Sequence, residues 1–333
     1  MNINDARNVL KVMLDLKQPL LIHGMPGIGK SALVKQEAED RNYSLMEMRG
    51  SQMDPTDLNG IPSIEDGKTV WNPSSFLPNE SRDGEHGILF LDELTDAPRT
   101  VLAALYQLIL DRRSGNYFLP SGWTIVAATN LVTDGGLATP LALPLANRLN
   151  HIELGEDIDC WINYALKKDF PLDIIYFLRF RPELLMKFDP KNRLQYSFPS
   201  PRSWERVCEI EKQGIQDKGL RMDCISSAIG QGAAIEYLSF LDLYKELPSK
   251  DSILTNADSA KVPENPGALY AVCSLLVKIA NSNTATAVFK YMSRMPSEFA
   301  VYVVKDLDKS ESDALKSKEY IQYAQDNKYL FES

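Results

Sequence analysis

The stretch that most constrains this chain is residues 24–31, Gly-Met-Pro-Gly-Ile-Gly-Lys-Ser. It follows a short apolar run, Leu20, Leu21 and Ile22, and precedes a helix-like segment that opens on Ala32, Leu33 and Val34. The spacing G-x-x-x-x-G-K-S between a strand and a helix is that of a phosphate-cradling loop. Gly24, Gly27 and Gly29 let successive backbone N–H groups face one anion, with Pro26 and Ile28 completing the loop. The first turn of the helix, through Ala32, adds its dipole and free N–H groups. Lys30 is expected on the outer phosphates and the Ser31 hydroxyl on Mg²⁺. A loop of this kind commits the chain to an α/β beginning.

A second motif lies some 60 residues on. Ile88, Leu89, Phe90 and Leu91 read as a strand buried on both faces, as in a parallel sheet. It ends in Asp92 and Glu93, where open α/β sheets bind ligands. Asp92 suits the Mg²⁺ shell, and Glu93 suits the base that activates an attacking water. Residues 124–128 read as another buried strand, ending in Thr129 and Asn130. Asn130 there orients the water or contacts the γ-phosphate, unless it is a strand-end turn residue. Between these elements, Glu65, Asp66, Gly67 and Lys68 form a hairpin-turn signal. A second hairpin is expected between Tyr117 and Trp123, after a turn at residues 114–116. Residues 137–149 end in Leu145, Ala146, Asn147, Arg148 and Leu149, just before a last strand at His151–Leu154.

Composition excludes more than it assigns. The net charge is −9, with 13 basic against 19 acidic residues in 1–155 and 23 against 26 in the remainder. No segment is basic enough to track a nucleic-acid backbone, so nucleic acid is not favoured as a partner. No apolar run approaches the roughly 18 residues that cross a bilayer, and the N-terminus has no signal-peptide pattern. Cys160, Cys208, Cys224 and Cys273 lack metal-ligand spacing and read as thiols in a reducing cytosol. Residues 156–246 read as all-helical, 247–267 as a linker rich in Pro, Ser and Asn, and the remainder as further helices. Arg202 falls in the first turn of a helix after Ser200 and Pro201. A cation there opposes the helix dipole and implies an anionic partner.

The ordered set of phosphate loop, inserted hairpin, Asp-Glu strand, Asn-ended strand, arginine and helical arginine resembles the AAA+ ATPases. Within them it is closest to the MoxR-like branch, and the resemblance covers about residues 1–245. It implies a P-loop AAA+ core with a parallel sheet flanked by helices (1–155), an all-helical lid (156–246), and a linker with a helical C-terminal region (247–333). It implies ATP and Mg²⁺ as ligands. Asn130 resembles the first sensor, and Arg148 the finger that reaches a neighbour's γ-phosphate. Arg202 resembles the second sensor, acting in cis or in trans. The expected assembly is a homo-oligomeric ring, usually of six, that acts in the cytoplasm on a protein client, often one with a von Willebrand A domain. A DNA-directed motor and a slow ATP-dependent assembly switch are the alternatives. The inserted hairpins would project toward a client. Trp71, Tyr117 and Phe118 are candidate gripping aromatics, at least one of them expected to be hairpin packing.

Overall fold

The computed structural model describes residues 1–130, 141–189, 196–243 and 247–328. Its internal contacts form two units, one built on Met1–Asp157 and the other on Ile158–Phe188 and the helices that follow.

The first unit is a three-layer α/β domain. Its strands are β1 (Leu20–Gly24), β2 (Ser44–Arg49), β3 (Ile61–Glu65), β4 (Lys68–Asn72), β5 (Gly87–Asp92), β6 (Arg113–Ser114), β7 (Tyr117–Phe118), β8 (Trp123–Thr129) and β9 (Asn150–Leu154). Five of them make one sheet in the order β2-β5-β8-β1-β9, with every neighbouring pair parallel. Residues alternate between its faces. Leu20, Ile22, Ile88, Phe90, Val126 and Ala128 pack toward the helices Ile3–Asp15 and Lys30–Arg41. Leu21, Leu89, Leu91, Ile125 and Ala127 pack on the opposite face, against the apolar stripe Val101, Leu105 and Leu108 of the helix Arg99–Asp111. Both faces are covered, which is why these strands read as unbroken apolar runs.

The two hairpins lie outside this sheet. In β3–β4, Glu65 pairs with Lys68 across Asp66 and Gly67. Both turn residues take positive φ, 51° and 74°, the backbone that a two-residue hairpin turn requires. The second hairpin differs from expectation. It pairs β6 with β7 around Gly115 and Asn116, and Trp123 is not part of it. Trp123 is fully buried at the start of β8, with its indole N–H donating to the Gly84 carbonyl at 3.0 Å. A Cβ on Gly87 would come within 2.6 Å of the Trp123 ring, so the large ring and the absent side chain fit one another.

The second unit is all helical. One hydrophobic core runs from Trp161 to Tyr323, so the stretches expected as lid and as C-terminal region share it. The expected linker at 247–267 is a packed segment instead. It contains the helix Lys250–Thr255, and Ile253, Ala257 and Ala260 are buried in the common core. The buried pair Arg179–Asp306 ties the helix Leu172–Phe180 to the helix Ser297–Lys309, with two hydrogen bonds of 2.6 and 2.7 Å. The Arg179 guanidinium lies between the rings of Tyr176 and Tyr302, at 4.9 and 4.7 Å from their centroids. Asp306→Ala should therefore destabilise this unit by about 3–5 kcal/mol, because it strands a buried cation. Urea unfolding followed by the unit's own tryptophans, Trp161 and Trp204, measures this. A cost under about 1 kcal/mol would show the pair to be dispensable.

Candidate functional site

The parallel sheet brings the predicted polar residues to one edge, at the C-terminal ends of its three central strands. Gly29 caps the helix Lys30–Arg41 with φ 111°, a backbone that favours glycine, and so turns the loop into the helix. Lys30 is the next residue and is almost fully buried. Its ammonium donates to the carbonyls of Gly24 at 2.6 Å and Met25 at 3.1 Å, and to Oδ1 of Asn130 at 2.9 Å. The ends of β1 and β8 thus meet on one cation. Loop carbonyls and an amide are acceptors that a phosphate oxygen outcompetes, since a charged acceptor makes the stronger bond.

Ser31 Oγ donates to Oδ2 of Asp92 at 3.0 Å, while the Glu93 backbone N–H donates to Oδ1 of the same carboxylate at 3.0 Å. This hydroxyl and carboxylate fit a Mg²⁺ shell. Among the described residues no three His, Cys, Asp or Glu side chains converge to hold a metal. Two protein ligands with the remaining positions left to phosphate and water is the usual Mg²⁺ arrangement.

Glu93 occupies a conformation that non-glycine residues rarely take, φ 54° and ψ 40°. Such a residue costs on the order of 1–3 kcal/mol and persists where its surroundings over-determine it. Two contacts do so here. Gly50 packs so closely that a Cβ there would lie 2.5 Å from the Glu93 carbonyl oxygen. Ser51 Oγ donates to Glu93 Oε2 at 2.6 Å and fixes where the carboxylate points. Ser51 escaped sequence reasoning because it follows β2, and nothing in the sequence states that β2 lies beside β5. Thr95 and Thr129 share a buried hydroxyl contact that ties the end of β5 to the end of β8.

Arg148 lies at the opposite end of the sheet. In the β1–β9 register Leu20 pairs with Asn150 and Gly24 with Leu154, so residues just before Asn150 sit at the edge away from the phosphate loop. The five residues of β1 alone span about 16 Å. Arg148 is exposed, its guanidinium 6.0 Å from the centroid of the Tyr106 ring. The same segment touches a histidine pair missed from sequence. Because Ala146 O only accepts, His151 carries its proton on Nε2 and donates to that carbonyl at 2.7 Å. His151 Nδ1 then accepts from His23 Nε2 at 2.9 Å, next to the phosphate loop. Burial, then His151 and Lys30, hold His23 below its usual pKa, against the pull of Glu153. Of the expected segment 137–149, residues 137–140 lie outside the described residues.

Arg202 belongs to the second unit. Ser200 caps its helix through a reciprocal bond with Ser203, Pro201 is the first helical residue, and Arg202 follows, exposed. Among the described residues it enters no ion pair with a carboxylate. Burial pushes the pKa of Glu205 up, and the charge of Arg202, with that of Lys168, moderates the rise.

Fold and motif order together define a P-loop α/β domain. Residues 19–148 match the family model of the AAA domain, dynein-related subfamily, and this match lies within the first unit, whose parallel-sheet α/β fold agrees with it. An alignment over 190 positions, which covers 53% of this chain, is 37% identical to midasin from Giardia intestinalis, and it covers 4% of that relative's length. Among solved structures, the chain is similar to NtrX from Brucella abortus in complex with ADP, at 17% identity, covering 92% of this chain and 68% of that one, with a TM-score of 0.43. It is also similar to the RuvB Holliday junction branch migration motor of Thermotoga maritima, at 15% identity, covering 97% and 86%, with a TM-score of 0.36.

Asp96 stands out at the edge of this site. Its Oδ1 is buried without a hydrogen-bond partner among the described residues, and burial, then the charge of Glu93, push its pKa up. A carboxyl raised in the folded state binds protons more tightly there than in the unfolded chain. Its ionisation therefore erodes stability as pH rises from the unfolded pKa, about 3.9, through the folded value. Asp96→Asn should raise the urea midpoint at pH 7, and the gain should vanish near pH 3. An equal gain at both pH values would mean that the charge is not its cause.

Proposed function

We propose that this protein works as a ring of identical subunits, each completing its neighbour's ATP site, and that hydrolysis drives the remodelling of a protein client, as in the MoxR-like branch. The observation that carries this is the separation of Arg148 from Lys30 by the length of the sheet. A side chain at one edge cannot meet a phosphate at the other edge of the same domain, but it can meet one bound to another copy.

In this reading Lys30 leaves the carbonyls of Gly24 and Met25 for the outer phosphate oxygens of ATP, and the loop N–H groups surround the rest. Ser31 and Asp92 would hold Mg²⁺, which would neutralise charge on the phosphates. Glu93, aimed by Ser51, takes the proton of the attacking water. Asn130, already on the Lys30 ammonium, reports the γ-phosphate to β8. Arg148 from a second copy meets the charge that develops on the transferred group, an effect worth roughly 10³–10⁵ in rate. Arg202 is assigned to the γ-phosphate of a bound nucleotide, in cis or in trans, as the second sensor that the resemblance implies.

A protein client is supported by the −9 net charge, which disfavours nucleic acid. It is also supported by the β3–β4 hairpin. Cross-strand partners share a face, so Pro62 with Trp71 and Ile64 with Thr69 form an apolar face. Ile64 is 82% and Trp71 42% exposed. Phe118 is 66% exposed, whereas Tyr117 is packing, with its hydroxyl donating to the Pro78 carbonyl at 2.8 Å. The six-fold ring and a von Willebrand A client rest on the resemblance alone. Among the described residues no helix is long and apolar enough to cross a membrane. A cytoplasmic site of action is supported by four free cysteines.

Glu93→Gln should bind ATP with near-normal affinity while turnover falls at least about a hundredfold, and a turnover assay with labelled ATP settles it. Normal turnover would remove Glu93 as base. Arg148→Ala should be inactive alone yet recover turnover when mixed with Glu93→Gln subunits, since one type of junction in the mixture has both groups intact. Mixtures as silent as their components would sink the shared site.

A further inference from the structure

The cavity beside Arg148 holds more cationic charge than a finger needs. About 400 Å³ in volume, it is lined by Lys17, Arg112, Asn147 and Arg148 among apolar residues such as Pro19 and Ile125. It lies at the edge of the sheet where β1 and β8 begin, away from the phosphate loop. Lys17 and Arg112 are positioned by one turn. Lys17 Nζ donates to the Gly122 carbonyl at 3.0 Å, and Arg112 donates to the carbonyls of Pro120 and Trp123 at 2.9 and 2.8 Å. Both residues take left-handed backbone, each with φ 55°. None of these three cations enters an ion pair with a carboxylate among the described residues. Asp15, the acid that feels Lys17, is engaged by Arg41 at 2.6 Å. Backbone carbonyls thus set the position of two full charges without neutralising them.

The opposite edge of the same sheet carries the complementary sign. Asp92, Glu93 and Asp96 gather there, and Asp54 and Asp57 follow the end of β2. A surface with cations at one end and carboxylates at the other is self-complementary head to tail.

We infer that Lys17, Arg112 and Arg148 form one cradle that receives the phosphate-bearing, carboxylate-rich edge of a second copy of this chain, with Lys17 making its own contact across the junction. This rests on the shared-site reading above and adds to it a docking surface and a second trans cation. Arg112 is half-buried and holds two carbonyls, so its main part is to position the turn. Lys17 is the cation with reach.

The test is Lys17→Glu in the full chain, with Lys17→Met as the charge-neutral variant that keeps the apolar stem. Both should bind a fluorescent ATP analogue as the natural chain does, since the phosphate loop is at the other edge. ATP-dependent assembly, followed by sedimentation velocity, should need at least about tenfold more protein for Lys17→Glu and a smaller excess for Lys17→Met. Raised salt should weaken assembly of the natural chain more than that of Lys17→Met. Mixing Lys17→Glu with Lys30→Ala subunits should restore turnover, because one partner supplies the site and the other the cradle. Normal assembly of both Lys17 variants would overturn the cradle. So would a silent Lys17→Glu mixture alongside an active mixture of Arg148→Ala with Lys30→Ala, which would leave the shared site standing. Silence of both mixtures would overturn the shared site and the cradle together.

Discussion

The parallel pairing of β1 with β8 and β9 is the constraint from which the rest of the first unit follows. Parallel strands point all their C-terminal ends the same way, so the residues that leave β1, β5 and β8 must meet at one edge. That is how Lys30, Asp92, Glu93 and Asn130 come together from positions up to 100 residues apart. The same pairing separates Arg148, which enters β9 at its beginning, from that edge. One geometric fact therefore gathers most of the candidate site residues at one edge and leaves Arg148 at the other. On the shared-site proposal this separation would make hydrolysis conditional on a neighbour, and a conditional site can transmit what happens in one subunit to the next.

Much of this was legible in the sequence where a local pattern has one physical meaning. Residues 24–31 and the Asp-Glu strand end announced themselves through spacing and apolar context. Asp66 and Gly67 announced a tight hairpin because few residue pairs accept two consecutive positive φ angles. What was not legible depended on partners distant in sequence. Trp123 reads from the sequence as the end of a hairpin, and its burial against Gly87 at the start of β8 depends on a residue 36 positions away. Ser51 had no signal, because its role comes only from the adjacency of β2 and β5. The 247–267 stretch has linker-like composition, but Arg294 donates to the carbonyls of Ala257 and Ala260, at 2.7 Å each, and holds it on the helical core. Composition reports what a segment does when nothing binds it, and here something does.

Local strain concentrates at the same edge. Glu93 is held in left-handed backbone, and Asp96 a few residues on keeps a buried oxygen without a hydrogen-bond partner among the described residues. A sequence selected for stability alone would relieve both, by glycine at one position and by asparagine at the other. Their joint presence beside Asp92 concentrates negative charge where cations, from Lys30 or from outside the subunit, would be drawn in. Stability lost at this edge then becomes affinity for what the edge must bind.

The sign asymmetry of the sheet ends also bears on how copies associate. A contact in which an acidic edge meets a basic edge is heterologous, and repeated head-to-tail contacts of one kind either close into a ring or run on as a filament. Charge alone does not choose between them, because Coulomb attraction tolerates a range of angles. Closure demands a contact of fixed orientation. On the shared-site proposal, a guanidinium that reaches a bound phosphate while lying over the Tyr106 ring, 6.0 Å from its centroid, would supply such an orientation, where a lone lysine would not. Lys17 then contributes attraction and rate of encounter, and Arg148 contributes the angle. On this division the arginine would be the residue that selects a closed ring, quite apart from its place in hydrolysis.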